Sequence, residues 1–341
     1  MLLWIEGFEG YGQSAGSAPV GMDRRYPVNS NLNLLDVEVG RTGGFAIEFG
    51  GLSGYFQTPS LGNISTFYCG FAVNFGAYAA GVQFWGAFEG GNMSLNLRTT
   101  AGGEYELFLN NSSLGTTSGA TIGTGAWGYF EIKGVIHNSA GEYEVRINGS
   151  TVLSATSVDT QVGSNAYINS IRWGRPSGSN IDGLMDDMYI ADSTGSYNNT
   201  FLGTRKVVGL FPSGAGNSTA FTPNSGSNYQ AVDETTIDDD TSYVQSGTSA
   251  HKDTYTFGDL PADLGSIAGI QINTDCRETD ANPFSLKTVV RSDGVDYADA
   301  GQAIGSTSYV SRRRILEVDP DTSLPWQKSA VDSAEFGIEV A

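Results

Sequence analysis

The stretch AWGYFEIKGVIHNSAGEYEVRINGSTVLSA, residues 126–155, decides the fold. Phe130, Ile132 and Ile136 fall on one side of an extended chain while Glu131 and Lys133 fall on the other, the period of two that marks a half-buried strand. Beyond the polar turn HNSAGE, Tyr143, Val145 and Ile147 take the inward positions and Glu144 and Arg146 face water. Asn148-Gly149 supplies two residues that tolerate positive φ, as a type I′ turn requires, and the chain returns along residues 151–154. Three consecutive antiparallel strands are specified.

The same alternation runs outward from this hairpin. Phe45, Ile47 and Phe49 share a face, as do Leu95 and Leu97, and Tyr105, Leu107 and Leu109. In FYCGFAVNF, Phe67, Cys69, Phe71, Val73 and Phe75 line up, so Cys69 reads as a small core hydrophobe. Cys276 is its only cysteine companion and lies far away, so no disulfide framework is indicated. The 46 glycines, 11% aromatic and 16% charged residues favour short strands joined by tight turns, and 341 residues suit two cores.

The turn-forming segment ADSTGSYNNTFLG, residues 191–203, separates two strand-rich regions, giving domains at 1–200 and 205–341. The second is expected to open with a strand at 205–210 and to pass through a Gly/Ser/Asn-rich stretch to Asn228. Alternation resumes at Tyr255 and Phe257, then Ile270 and Ile272, Leu286 to Val290, Leu316 and Val318, and Phe336 to Val340. One short helix is expected after Ser323, with Pro325 in its first turn and Trp326 and Val331 packed inward. The predicted class is all-β, two antiparallel β-sandwich (jelly-roll) domains in tandem.

Eighteen basic residues against 37 acidic ones give a formal charge of -19, which repels phosphate backbones and anionic lipid, so neither nucleic acid nor membrane is an expected partner. The opening MLLWIEGFEGYG lacks the features of a secretory signal, and no apolar run reaches the ~18 residues of a membrane span. A chain made in the cytoplasm and not exported is the expectation.

Two resemblances add to this. The run W-x-Y-F-E-I-K from Trp127, then Y-E-V-R-I-N-G from Tyr143 and the closing IDGLMDDMYIAD at 181–192 resemble the concanavalin A-like or laminin-G-like jelly roll over roughly residues 1–200. The second half carries FPSGAGNSTAFTPNSGSNYQAVDE (211–234), DDDTSYVQSGTSAHKDTYTFGDLP (238–261) and EVDPDTSLPWQKSAVDSAEFGIEV (317–340), which in this order resemble the C-terminal module of structural proteins of tailed bacteriophages and prophages. That resemblance implies a virion component made in the host cytoplasm. Its partners would be other phage structural proteins, further copies of itself and a host surface glycan, with residues 205–341 docking or oligomerising.

Glycosidases on the concanavalin A-like fold place their carboxylates in an E-x-D-x-E string, which is absent here. Glu104 and Glu106, and Glu142 and Glu144, come nearest, but they read as solvated strand faces because Tyr105 and Tyr143 between them face the core. The two histidines, His137 and His251, sit in turns without metal-ligand spacing. No catalytic residue is assigned, and no enzyme is expected. Calcium is the one conceivable cofactor, with Asp238, Asp239 and Asp240, or Asp182, Asp186 and Asp187, as candidate ligands that lack the spacing of a wrapped loop. Tyr11, Tyr26, Tyr55, Tyr78, Trp85 and Tyr197 are aromatics available for stacking on sugars, although no carbohydrate-binding residue is assigned. Arg312, Arg313 and Arg314 read as a solvated strand face. The reading is a non-enzymatic virion protein of the tail or tail fibre with a lectin-like domain for adhesion. The alternatives are a capsid decoration protein and a polysaccharide-degrading glycoside hydrolase.

Overall fold

Side chains that alternate in and out along the sequence form strands because only the extended backbone puts residues i and i+2 on one face. In the computed structural model, which describes residues 1–12, 18–32, 37–49, 54–119, 121–174, 182–279 and 284–341, this yields two compact units, Met1–Val207 and Val208–Ala341.

The strands of the first unit are β1 (Leu2–Glu6), β2 (Val28–Ser30), β3 (Val37–Val39), β4 (Phe45–Phe49), β5 (Tyr55–Gln57), β6 (Thr66–Phe75), β7 (Val82–Glu89) and β8 (Asn92–Thr99). There follow β9 (Tyr105–Leu109), β10 (Ser112–Thr116), β11 (Trp127–Val135), β12 (Gly141–Ile147), β13 (Ser150–Val158), β14 (Ser170–Gly174) and β15 (Gly183–Asp192). Sheet I has the order β13-β12-β11-β6-β15-β4-β3, with β1 also beside β15; sheet II runs β10-β9-β8-β7-β14-β5-β2. All pairings between these strands are antiparallel. The deciding hairpin is as read: β12 and β13 meet at Asn148-Gly149, whose φ values are 50° and 80°.

One core joins the sheets. Phe67, Cys69, Phe71 and Val73 of β6 face Trp85 of β7 and Leu95 and Leu97 of β8. Across the interface, Tyr105 of β9 meets Phe130 of β11 edge-on with centroids 4.8 Å apart. Cys69 is fully buried here, and burial pushes its thiol far above the ordinary range, so it is an inert core residue.

The second unit holds β16 (Pro212–Thr219), β17 (Thr222–Pro223), β18 (Val244–Gln245), β19 (Lys252–Phe257), β20 (Ile270–Cys276), β21 (Ser285–Ser292), β22 (Val295–Ala298), β23 (Gln302–Ala303), β24 (Val310–Leu316) and β25 (Glu335–Val340). Its main sheet has the order β16-β19-β25-β21-β22, with β23 on β21; β17 pairs with β18, and β20 with β24. Trp326 and Val331, at the short helix Lys328–Ser333, pack on Val290, Leu316 and Phe336. Two expectations are corrected. Residues 205–210 form no strand, whereas the Gly/Ser-rich PSGAGNST does, because β16 is an edge whose carbonyls and N–H groups pair with β19 although it has few apolar side chains to bury.

Glu131, read as facing water, is only 1% exposed. The cause is Gly70. A Cβ at that position would collide with the Tyr189 ring, so its absence lets Tyr189 of β15 lie across β6 and donate to Glu131 Oε1 on β11 at 2.7 Å. Replacing Gly70 by Ala should expel the ring and leave Glu131 short of a partner. We expect a loss of about 2–4 kcal/mol in urea unfolding; a loss below about 1 kcal/mol would contradict this packing.

Candidate functional site

The two outer faces of the first sandwich differ in how they treat charge. On sheet I, residues 201–207 cross the face as a strap. The Phe201 ring lies edge-on to Tyr68 at 5.2 Å and beneath the Arg146 guanidinium at 3.9 Å. Gly203 N–H donates to Glu131 Oε1 at 2.7 Å, and Leu202 N–H to the Tyr189 hydroxyl at 3.1 Å. Val207 N–H donates to Asp187 Oδ1 at 2.6 Å, while Arg41 donates to the Arg205 carbonyl.

Asp186 and Asp187 sit in a β-bulge where β15 shifts register against β6, and Asp187 takes φ 54°. An aspartate accepts the left-handed region more readily than most residues, and the bulge turns both carboxylates to the same neighbourhood. Asp186 Oδ2 accepts from Arg41 N–H at 2.8 Å and its Oδ1 from Asp187 N–H at 2.7 Å. Asp187 Oδ2 takes Arg41 Nε and Nη2, both at 2.7 Å. Burial, and then the Asp187 charge, raise the Asp186 carboxyl well above the carboxylate range. Glu9, which accepts from Phe45 N–H at 3.2 Å, is pushed up to about 7, chiefly by burial.

These bonds occupy the oxygens that a calcium ion would need. Asp182 stands apart, exposed at a shallow groove with Glu38, Glu48 and Asn74. In the second unit, Asp238 accepts from Ser242 at 2.9 Å, and Asp240 is taken by Arg277 at 2.7 Å and Tyr309 at 2.9 Å. Asp239 adopts φ 56° in the same turn. Among the described residues no group of three or more His, Cys, Asp or Glu side chains is arranged to hold a metal ion.

Sheet II is different. Ile171 and Trp173 of β14 point into the core, so Ser170 and Arg172 point out; Leu95 and Leu97 of β8 likewise put Ser94, Asn96 and Arg98 outside. Register places Gln57, Arg172, Gly86, Asn96 and Phe108 in one row across five strands. The Arg172 guanidinium is held between the rings of Tyr55, at 4.1 Å, and Phe88, at 4.2 Å, with Nε donating to Gln57 Oε1 at 3.0 Å. Arg98 lies on Phe108 at 4.0 Å and donates to Asn96 Oδ1 at 2.9 Å and Asn111 Oδ1 at 2.8 Å.

Gly86 lies between them, covered by the Gln83 and Phe88 side chains. Gln83 Nε2 and Phe88 Cε2 stand 2.9 and 3.1 Å from where a Cβ on Gly86 would be. Gln83 Nε2 and Ser94 Oγ are buried without a hydrogen-bond partner among the described residues. A buried polar atom left this way costs about 1–3 kcal/mol, and such orphans need a reason.

Of the aromatics considered for sugar stacking, Tyr11, Tyr26 and Trp85 are core residues, Tyr78 packs on Phe75 and Tyr105, and Tyr197 is exposed. Tyr55 alone joins the sheet II row. Glu106 lies opposite Arg98 on β9, and Glu142 pairs with Lys133 at 2.6 Å. Glu144 pairs with Arg146 at 2.7 Å, and Gly119 N–H donates to Glu104 Oε1 at 3.3 Å. His137 Nδ1 accepts two turn N–H groups, and His251 meets Ser246 at 2.9 Å. Arg312 and Arg314 donate to backbone carbonyls, so these two are structural rather than a solvated face. Sequence reasoning missed Arg98, Arg172, Asn96, Gln57 and Gln83. The available signal was an arginine set between two core residues of a strand, as in Ile171-Arg172-Trp173.

No known protein family and no curated protein matches the sequence. Among solved structures, the chain is similar to alginate lyase Aly36B, with a TM-score of 0.39 and 13% identity over 55% of this chain and 96% of that one. It is similar to an endo-β-1,4-glucuronan lyase from the fungus Trichoderma reesei, with a TM-score of 0.37 and 14% identity over 48% of this chain and 90% of that one. It is also similar to domain 4 of AbnA, a GH43 extracellular arabinanase from Geobacillus stearothermophilus solved with arabinotriose, with a TM-score of 0.36 and 19% identity over 46% of this chain and 74% of that one. These likenesses reach the β-sandwich fold and no further. The expectation that the chain is not an enzyme is corrected to an open one: it rested on the lack of a hydrolase's carboxylate pair, and lyases stand among the structures the chain is similar to.

The raised carboxyls have a measurable consequence. Glu9 and Asp186 hold protons in the fold at a pH where an unfolded chain has lost them, so their contribution to stability is full below about pH 4 and fades as pH rises past neutrality. Urea midpoints should fall from about pH 5 to about pH 8, and the fall should be smaller in the double variant Glu9→Gln, Asp186→Asn. An equal fall in that variant would show that these two groups do not titrate across the window.

Proposed function

We propose that the chain engages a glycan on the outer face of sheet II. The observation that carries this reading is the row Gln57, Arg172, Gly86, Asn96 and Phe108, with Tyr55 and Phe88 beside it. The Arg172 fork offers donors to sugar oxygens, and the half-buried Tyr55 and Phe108 rings stand on the same face.

The resemblance of the second half to phage structural modules supports a particle setting for this activity, with several copies of the chain on one scaffold. Repetition there would raise effective affinity by about 10² to 10⁴ without new contacts. A homo-oligomer docked through residues 205–341 on the tail is the arrangement we favour.

Calorimetric titration of the full chain with a panel of soluble polysaccharides tests the site. Gly86→Val would displace Gln83 and the Phe88 ring on which Arg172 lies while keeping a strand-favouring residue, and it should weaken binding at least about tenfold with the fold retained by circular dichroism. Undiminished binding would place the glycan elsewhere. Incubation with whichever polysaccharide binds separates retention from cleavage, since new reducing or unsaturated ends appear only on turnover.

A further inference from the structure

Resting on the glycan reading, we propose that the ligand is an acidic polysaccharide, one bearing carboxylate or sulfate groups, and that Arg172 is the side chain that reads its charge, with Arg98 as the second contact. In a chain with twice as many acidic as basic residues, an arginine without a carboxylate needs explanation. Arg25, Arg41, Arg146, Arg277 and Arg291 each have one within 4 Å. Arg172 has none among the described residues. Its Nε is fixed by Gln57, and its faces by Tyr55 and Phe88, yet neither terminal nitrogen has a hydrogen-bond partner among the described residues.

Those terminal nitrogens keep some accessible surface, since they are not among the buried unpartnered atoms. A guanidinium held flat with its fork accessible is preorganised for two parallel bonds to a carboxylate or sulfate, and little rotamer freedom remains to be lost on binding. Burial lowers the basicity of both arginines, offset in part at Arg98 by the Glu106 charge. Arg98 is the weaker reader. Its Nε and Nη2 are committed to Asn96, Asn110 and Asn111, and Glu106 lies opposite it.

Strands β8 and β14 flank β7, so they lie about 10 Å apart, a span of two sugar rings. Gly86 and Asn96 lie between them in the row. A chain of acidic sugars laid across the strands would present a charge to the terminal nitrogens of Arg172. The overall negative charge would slow encounter with such a polymer, so specificity here comes from contact rather than long-range steering.

The test compares polygalacturonate, dextran sulfate and neutral dextran on the full chain by calorimetry. We expect at least one acidic polymer to bind about tenfold or more tightly than dextran, with affinity falling as salt rises. Arg172→Gln should abolish that preference, and Arg172→Lys should restore part of it, because lysine keeps the charge and loses the fork. The wild-type salt dependence tests the proposal without any variant, should Arg172→Gln fail to fold. Equal binding of dextran, or acidic binding that Arg172→Gln leaves intact, overturns the acidic assignment while the glycan reading stands. No binding of any saccharide overturns both.

Discussion

A charge removed from water must be given partners or must be left where a partner can arrive, and the first sandwich does one on each outer face. On sheet I, the carboxylates of Glu131, Asp186 and Asp187 are all buried, and each is met by backbone N–H groups, a tyrosine or Arg41. The strap at 201–207 supplies part of that satisfaction. On sheet II, two arginines are pressed onto aromatic rings with no carboxylate in an ion pair among the described residues. The first face is thus closed by its own strap and ion pairs, and the second leaves the Arg172 fork without a protein partner, which is the ground of the glycan proposal.

This difference accounts for what was legible in the sequence. The hairpin at 126–155 was readable because its period is strict and Asn148-Gly149 is a strong turn signal, and both are local properties. The burial of Glu131 was not, because it depends on Gly70 and Tyr189, which approach from strands distant in sequence. Asp186 and Asp187 looked like loop ligands for calcium; the bulge instead turns them toward Arg41 and the strap. β16 escaped notice because an edge strand can be held by backbone pairing with few apolar side chains.

The site on sheet II sits between these extremes. That Arg98 and Arg172 face outward follows from alternation with Leu97, Ile171 and Trp173, so their direction could have been read. That they share a surface could not, because β7 lies between β8 and β14 only once the sheet order is known. The order is set by crossovers: β14 comes back from residue 170 to pair with β7 and β5. The proposed site is a property of topology, assembled from three separated segments of ordinary strand sequence.

Hydrogen–deuterium exchange of the full chain with and without a saturating acidic polysaccharide tests the central claim most directly. The account predicts new protection in peptides covering residues 82–99 and 170–174, with sheet I and the second unit unchanged. Protection confined to residues 201–207 and the Asp186–Asp187 bulge, or to residues 208–341, would contradict it.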